Sequence, residues 1–197
     1  MKEAAILAGG MGRRIGKPKL FLKRGEAYLY ASLAGELNRA VDRVVIVLSE
    51  GLSLPVPVHG MEVLYDDDAY AGSGPLAGLY TAMREMKGEH VFVCSVDMPF
   101  VTGVLATYLL GRIKREGAET VIPFVAGKIH PLCAAYAKAG SGKIEKALDQ
   151  GELRVSSLIH RLDTFVVNED ELKDAGIGVE SFENINTLND LQKLEGA

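Results

Sequence analysis

A glycine-rich turn directly after the first apolar run constrains the fold of this chain more than any other feature. Residues 4–8 are all apolar, which suits a short buried strand. Gly9, Gly10 and Gly12 follow, where side chains would keep the backbone away from a ligand. The next cations are Arg13, Arg14, Lys17 and Lys19. Bare backbone N–H groups beside cations predict a polyphosphate-binding loop. The alternative is an ordinary strand-to-helix turn with a solvated basic face.

Two well-known phosphate-binding patterns do not fit this turn. A P-loop needs glycine where Met11 stands, and it needs Ser or Thr after Lys17, where Pro18 stands. The dinucleotide-binding pattern that would begin at Gly10 needs a third glycine where Ile15 stands. The turn is therefore predicted to be neither a P-loop nor a typical NAD site.

The composition is that of a compact enzyme. With 197 residues and 48% hydrophobic content, a single domain over residues 1–197 is expected, burying roughly 70% of its unfolded surface. A net charge of −4 argues against a general nucleic-acid binder. Cys94 and Cys133 have no disulfide or metal spacing, which favours a reducing cytoplasm. Neither a signal peptide nor a membrane-spanning run is expected.

Strand-like and helix-like segments alternate along the chain. The runs 43–48 and 91–96 are nearly all apolar, as in interior parallel strands. Shorter strands are predicted at 62–65, 120–125, 133–136 and 164–168, and helices at 28–40, 102–116 and 141–150. This order predicts an α/β fold of three layers, with helices on both faces of a mostly parallel central sheet.

Acidic residues follow two of the predicted strands. Residues 66–68 are consecutive aspartates at the carboxyl end of a strand, where open α/β sheets bind ligands, although mutual repulsion should keep at least one in water. Asp97 ends the strand 91–96, where a buried acid is costly unless it is paired, hydrogen-bonded or bound to metal. It is predicted either to bind Mg²⁺, which takes one or two carboxylates plus phosphate oxygens, or to cap the next helix. Thr102 can supply that cap itself.

These motifs together resemble a known family. Residues 7–10, residues 14–16 and Lys19 match the nucleotidyltransferase signature L-A-G-G-x-x-x-R-[IM]-G-x-x-K. Residues 74–78 resemble G-P-L-A-G, and residues 97–100 resemble the D-M-P-F metal motif. Residues 184–191 resemble an N-x-N-T-P-E-D-L ending, with Leu188 and Asn189 replacing Pro and Glu. Over nearly its whole length the chain is similar to the MobA-like molybdenum cofactor guanylyltransferases, which implies a Rossmann-like nucleotidyltransferase fold.

The resemblance also implies which residues form the nucleotide site. The implied nucleotide-binding residues are Leu7, Ala8, Gly9, Gly10, Lys19, Asp67, Gly74, Gly78 and Asp97. Asp67 is the implied guanosine contact, and an alignment shifted by one residue would place that contact at Asp66 or Asp68 instead. The family usually has an Asn that contacts the nucleotide close to the end of the strand 43–48. This sequence has Ser49 and Glu50 there, so the resemblance does not imply that contact. Lys19, Arg14 and Asp97 are the implied catalytic residues.

A second set of residues is implied for the metal and the acceptor. Asp97 and Asn186 are the implied Mg²⁺ ligands. His130, Asn184 and Asn186 are the implied acceptor-side residues. A histidine before proline is more often structural, and Asn186 or Thr187 can also serve simply as the N-cap of the last helix.

The activity that the resemblance implies is transfer of GMP from GTP to molybdopterin with release of pyrophosphate. The implied partners are GTP, the molybdenum cofactor and, transiently, cofactor-carrying proteins, with no nucleic acid and no membrane. Two alternatives stay open at this point. One is a binding module that regulates without turnover, which the presence of Asp97 disfavours. The other is an enzyme of the same fold acting on other substrates, as a molybdopterin cytidylyltransferase, a sugar-phosphate nucleotidyltransferase or a phospholactate guanylyltransferase does.

Overall fold

The protein is built on one large mixed β-sheet. The computed structural model describes residues 1–10, 12, 15–187, 189–190 and 192. The strands of these residues are β1 (Glu3–Leu7), β2 (Lys23–Arg24), β3 (Ala27–Tyr28), β4 (Arg43–Leu48), β5 (Met61–Tyr65), β6 (His90–Ser95), β7 (Thr120–Val125), β8 (Lys128–Ile129), β9 (Cys133–Ala137) and β10 (Thr164–Asn168). The large sheet has the order β10-β7-β9-β6-β1-β4-β5, with β8 paired to β7, while β2 and β3 form a separate hairpin.

Most neighbouring strands of the sheet run parallel, as the sequence pattern predicts. β1 is parallel to both β4 and β6, β4 is parallel to β5, and β7 is parallel to β10. The exceptions are β9, which runs antiparallel between β6 and β7, and the short β8. The carboxyl ends of β1, β4, β5, β6 and β7 therefore lie at the same edge of the sheet.

Helices cover both faces of the sheet and complete three layers. They are α1 (Leu29–Leu37), α2 (Pro75–Glu85), α3 (Gly103–Glu116), α4 (Ser141–Asp149) and α5 (Glu169–Asp174). Alternate residues of β1 point to opposite faces. Ala4 and Ile6 pack with α1 and α3, whereas Ala5 and Leu7 pack with α2 and α4. None of the helices in the described part of the chain is long and apolar enough to cross a membrane.

Local signals in the sequence place several helix ends. Pro75 begins α2 directly after Gly74, because its fixed φ suits the first helical turn. The Thr102 hydroxyl accepts the backbone N–H of Leu105 at 3.2 Å and so caps α3. Asp97 is therefore not needed as the cap of that helix.

A buried ion-pair network joins the amino ends of the central strands. Glu3 on β1 exposes 2% of its side chain and accepts from Arg43 Nη1 at 2.6 Å. The other oxygen of Glu3 accepts the backbone N–H of Gly88. Arg43 also binds Glu62 on β5 through two contacts, Nη2 at 2.7 Å and Nε at 3.1 Å. The hydrogen bond from Arg43 lowers the pKa of Glu62 to about 2.

Glu62→Gln should reduce stability in a pH-dependent way. A carboxyl whose folded pKa is depressed contributes stability above its unfolded pKa, and this contribution is lost as pH falls toward the folded value. Glu62 is half exposed, so solvent screening limits the expected loss at pH 7 to about 0.5–1 kcal/mol. Urea unfolding of both proteins at pH 7 and pH 3 should show the difference shrinking at low pH. Glu85→Gln, at the exposed pair with Arg84, is the matched control and should change little at either pH. A Glu62→Gln difference that does not depend on pH would contradict the role given to the ion pair.

Candidate active site

A cleft of about 660 Å³ opens at the carboxyl edge of the sheet. Open α/β sheets bind ligands at this edge because the loops after parallel strands converge there. The residues that line the cleft are Gly9, Gly10, Gly12, Ile15, Lys19, Ser49, Glu50, Asp66, Ala71, Gly72, Gly74, Pro75 and Asn186. They come from the glycine turn after β1, the ends of β4 and β5, the start of α2 and the segment near residue 186.

The glycine turn packs against its neighbours too closely for side chains. A Cβ atom at Gly9 would overlap the Ser49 hydroxyl, and one at Gly12, where φ is 54°, would overlap the backbone carbonyl of Lys17. The N–H of Lys19 donates to the Gly10 carbonyl at 3.0 Å, which folds the turn back on itself. Gly9, Gly10 and Lys19 thereby line the same cleft.

Lys19 forms an ion pair with Asp97 beside this turn. Asp97 exposes only 1% of its side chain, and Lys19 exposes 28%. Lys19 Nζ donates to Asp97 Oδ2, whereas Asp97 Oδ1 is buried with no hydrogen-bond partner among the residues that the structure describes. A buried carboxylate oxygen without a partner is costly, so Asp97 is suited to a further cationic ligand.

Asn186 lies close to this pair. The N–H of Ile185 donates to the backbone carbonyl of Asp97 at 2.8 Å, which brings the next residue, Asn186, into the lining of the cleft. The Thr187 hydroxyl accepts the N–H of Asp190 at 3.1 Å, so Thr187 caps the helical residues that follow. The Asn186 side chain is exposed and free of that capping role.

Two oxygen donors near the Lys19 end of the cleft could hold a hard cation, although Asp97 itself lies behind the lining residues. Asp97 offers one carboxylate oxygen, and Asn186 offers an amide oxygen. Across residues 1–10, 12, 15–187, 189–190 and 192, no group of three or more His, Cys, Asp or Glu side chains is arranged to hold a metal ion. The donor set therefore suits an ion such as Mg²⁺, which takes most of its ligands from phosphate and water oxygens.

Of the three consecutive aspartates, Asp66 faces the cleft. Its Oδ2 accepts from the Ser49 hydroxyl at 3.0 Å. Burial raises the pKa of Asp66, and the Ser49 hydrogen bond opposes that shift. Asp67 instead pairs with Arg84 on α2 and accepts the N–H of Ala69 at 3.0 Å. The geometry thus favours Asp66 over Asp67 as a ligand contact, one residue from the predicted position, because Asp66 lines the cleft and Asp67 is paired with Arg84.

A smaller recess of about 150 Å³ continues the cleft between β1, β4 and α2. Leu7, Gly78, Ser95 and Leu132 line it, together with residues of the main cleft. A Cβ at Gly78 would make ordinary contacts of 3.5 Å to Leu7 and Asp66, so the helix lies near β1 here without requiring glycine. The sequence analysis predicts no role for Ser95 or Leu132. Leu132 reaches the recess only because β9 runs antiparallel beside β6, which a local pattern does not reveal.

The remaining predicted site residues lie elsewhere. Ala8 is buried, and its N–H donates to the Val47 carbonyl at 2.9 Å. His130 is buried against Phe182, with ring centroids 5.0 Å apart, and contacts the Val125 carbonyl. Burial lowers the pKa of His130, and the ring lies outside the lining of the cleft. Asn184 is partly buried outside the lining of the cleft. Arg14 lies outside the described residues.

Thiol chemistry is not available at this site. Cys94 and Cys133 face each other across β6 and β9, and both are fully buried. Burial raises the pKa of the Cys94 thiol to about 12, so it stays protonated at neutral pH. Only a thiolate is an effective nucleophile.

The three-layer fold with its cleft, together with a matching family model, identifies a nucleotidyltransferase of the α/β type. The same fold occurs in 2-C-methyl-D-erythritol 4-phosphate cytidylyltransferase from Thermus thermophilus, with a TM-score of 0.72, 18% identity and coverage of 100% of this chain and 98% of that chain. The model of the MobA-like NTP transferase domain matches residues 4–165. The chain therefore belongs to the MobA-like NTP transferase domain family.

Similar proteins extend the match beyond the domain model. A probable molybdenum cofactor guanylyltransferase of Geobacillus sp. (strain WCH70) is 33% identical over 96% of this chain and 95% of its own length. One from Bacillus velezensis is 35% identical, with 96% and 92% covered. The crystal structure of molybdopterin-guanine dinucleotide biosynthesis protein A from Archaeoglobus fulgidus superposes with a TM-score of 0.85 at 28% identity, covering 98% of this chain and 97% of that chain.

Lys19→Ala should lower the rate of nucleotidyl transfer by roughly 10²–10³, or about 3–4 kcal/mol of transition-state stabilisation. The reason is that Lys19 is a cation at the glycine turn, where transferring phosphate charge would lie. Lys17→Ala is the matched control, because Lys17 is an exposed lysine of the same turn. Steady-state pyrophosphate release and triphosphate binding should be measured for both. If Lys19→Ala behaves like Lys17→Ala, Lys19 has no part in the reaction.

Proposed function

We propose that this protein transfers GMP from GTP to molybdopterin and releases pyrophosphate in an Mg²⁺-dependent reaction. The observation that carries the proposal is one cleft whose wall combines two chemically different groups. The glycine turn with Lys19, which pairs with Asp97, is suited to a triphosphate. The half-buried Asp66, linked to the turn through the Ser49 hydroxyl, is suited to a base. Similarity to guanylyltransferases over nearly the whole chain supports the choice of substrates.

The reaction needs little side-chain proton chemistry. A phosphate oxygen of the acceptor attacks the α-phosphorus of GTP in line, a new P–O bond forms, and the bond to the bridging oxygen of the β-phosphate breaks. The electron pair leaves with pyrophosphate, and a phosphate nucleophile is already ionised. Catalysis then depends on positioning and on stabilising developing charge. The backbone N–H groups of the glycine turn and Lys19 are the groups of this chain placed to do both.

Asp97 and Asn186 are the residues that would hold Mg²⁺. When bound, the ion would neutralise charge on the phosphate oxygens. In this proposal Lys19, which now pairs with Asp97, is free to turn its ammonium group toward the triphosphate once Asp97 has a second cationic partner. Asp97 keeps its buried position through the backbone bond from Ile185, at 2.8 Å.

Base selection is assigned to Asp66. An ionised carboxylate can accept both the N1–H and the amino group of guanine, whereas cytosine offers a single amino donor beside acceptors that would face the anion. Ser49 holds the Asp66 carboxylate from the side of β4, at 3.0 Å. A site built on hydrogen bonds rejects analogues that lack them more strongly than an apolar pocket does.

The direct test is a reconstituted reaction. The purified protein should convert molybdopterin and GTP to the guanine dinucleotide with one pyrophosphate per product, and CTP, ATP and UTP should be poor donors. Chelation of the divalent cation should stop turnover, and added Mg²⁺ should restore it. If GTP is bound but another phosphorylated acceptor is used in preference to molybdopterin, the acceptor assignment is wrong while the nucleotide assignment stands.

Asp97→Asn should abolish most of the metal-dependent turnover and leave the fold intact. The amide keeps the shape of the side chain but removes the charge that pairs with Lys19 and attracts a cation. Asp68→Asn, which changes an exposed aspartate near the cleft, is the control and should keep wild-type activity. Turnover should be measured against Mg²⁺ concentration, with circular dichroism to check folding. Near-normal activity of Asp97→Asn in Mg²⁺ would refute the metal assignment.

Asp66→Ala should narrow the preference for GTP over CTP more than it weakens triphosphate binding in general. Asp67→Ala is the paired variant, because it removes an adjacent carboxylate that faces Arg84. Competition binding of GTP and CTP to the wild type, Asp66→Ala and Asp67→Ala shows which aspartate contacts the base. A selectivity loss in Asp67→Ala alone would return the contact to the position first predicted, and equal affinity of the wild type for both nucleotides would reject guanine recognition.

A further inference from the structure

One wall of the cleft is a short segment between β5 and α2, comprising residues 71–75. Of these, Ala71, Gly72, Gly74 and Pro75 line the cleft. Gly72 and Gly74 adopt φ values of 81° and 67°, and a Cβ at either would meet no described atom within 4 Å. Their left-handed backbone, rather than tight packing, requires glycine. Ala71, Gly72, Gly74 and Pro75 are also exposed, so the segment makes few packing contacts that would hold it in one conformation.

Tyr70 directly precedes this wall and fastens it to α4. Its hydroxyl donates to Asp149 Oδ1 at 2.7 Å, across 79 positions of sequence. Its ring packs edge-on against Tyr80 of α2, with centroids 5.3 Å apart. Its backbone carbonyl accepts the N–H of Ser73 at 3.0 Å. A side-chain bond to a distant helix therefore restrains the turn that lines the cleft.

A second tyrosine makes the same kind of bond without belonging to the wall. The Tyr80 hydroxyl donates to Glu145 Oε1 at 2.6 Å, and Glu145 lies one helical turn before Asp149. The bonded carboxylates raise the pKa of both phenols to about 12, so both hydroxyls remain donors at neutral pH. Both bonds run from a tyrosine hydroxyl to a carboxylate of α4. The Tyr70 bond restrains the segment that lines the cleft, whereas the Tyr80 bond joins α2 to α4.

We propose that Tyr70 is a positioning residue for nucleotide binding, whose bond to Asp149 holds residues 71–75 ready to receive the nucleoside. This inference rests on the proposed function, in which GTP occupies the cleft. A wall ordered beforehand spares the complex the entropy cost of ordering it. Loss of the bond should therefore raise the Kd and KM for GTP. The partners of Tyr70 are Asp149 and Tyr80 rather than Lys19 and Asp97, so kcat should stay unchanged.

The test compares Tyr70→Phe with Tyr80→Phe. Calorimetric titration gives the Kd for GTP and for inorganic tripolyphosphate, which lacks a nucleoside, and pyrophosphate release gives KM and kcat. Tyr70→Phe should raise the Kd and KM for GTP about fivefold, the effect of losing one hydrogen bond. Its tripolyphosphate Kd and its kcat should stay within about twofold of wild type. Tyr80→Phe should leave all four values near wild type, even if both variants lose similar thermal stability.

A second pair of variants removes the same bonds from the α4 side. Asp149→Ala should reproduce the effect of Tyr70→Phe, and Glu145→Ala should reproduce that of Tyr80→Phe. Equal changes in Tyr70→Phe and Tyr80→Phe, or in Asp149→Ala and Glu145→Ala, would overturn the inference and leave the proposed function standing. Equal losses of affinity for GTP and tripolyphosphate would do the same. A wild-type protein that binds no GTP would overturn both.

Discussion

The parallel pairing of β1 with both β4 and β6 is the constraint on which the rest of the structure depends. β1 is buried at the centre of the sheet, so each of its backbone polar groups needs a partner. Leu7 lies opposite Val47 on one side and Ser95 on the other. This register places the glycine turn beside Ser49 and Asp97, because all three follow the ends of strands that are locked together. The strand register therefore determines which residues meet at the cleft.

Two buried carboxylates, one on β1 and one just after β6, differ in how completely they are hydrogen-bonded. At the amino edge, both oxygens of Glu3 have partners, one from Gly88 and one from Arg43. At the carboxyl edge, Asp97 has one oxygen bound to Lys19, while the other has none in the described part of the chain. Buried polar groups are normally hydrogen-bonded, so the incomplete set at Asp97 marks the place where a ligand would complete it.

Two parts of the cleft wall are held in place by different kinds of contact. The glycine turn is held by tight backbone packing, so its shape is set by sterics. The wall at residues 71–75 is held instead from outside, by side chains that reach α2 and α4. Its shape therefore depends on hydrogen bonds that individually contribute about 1 kcal/mol, and binding there is open to adjustment by single substitutions.

The sequence alone determines the α/β class, most of the strands and the glycine turn, and it places Lys19 beside that turn and Asp97 at the end of a buried strand. These follow from local patterns: apolar runs such as 43–48, turn glycines, and an acid at the end of a buried strand. Helix α1 is shorter than its predicted range of 28–40, since it ends at Leu37. Only the tertiary structure decided which aspartate faces the cleft, because the partners of Asp66 and Asp67, Ser49 and Arg84, are distant in sequence. It also decided that β9 runs antiparallel, which brings Leu132 to the recess, and that His130 lies outside the lining of the cleft. Strand direction and side-chain partners depend on residues distant in sequence, and a local pattern carries no information about them.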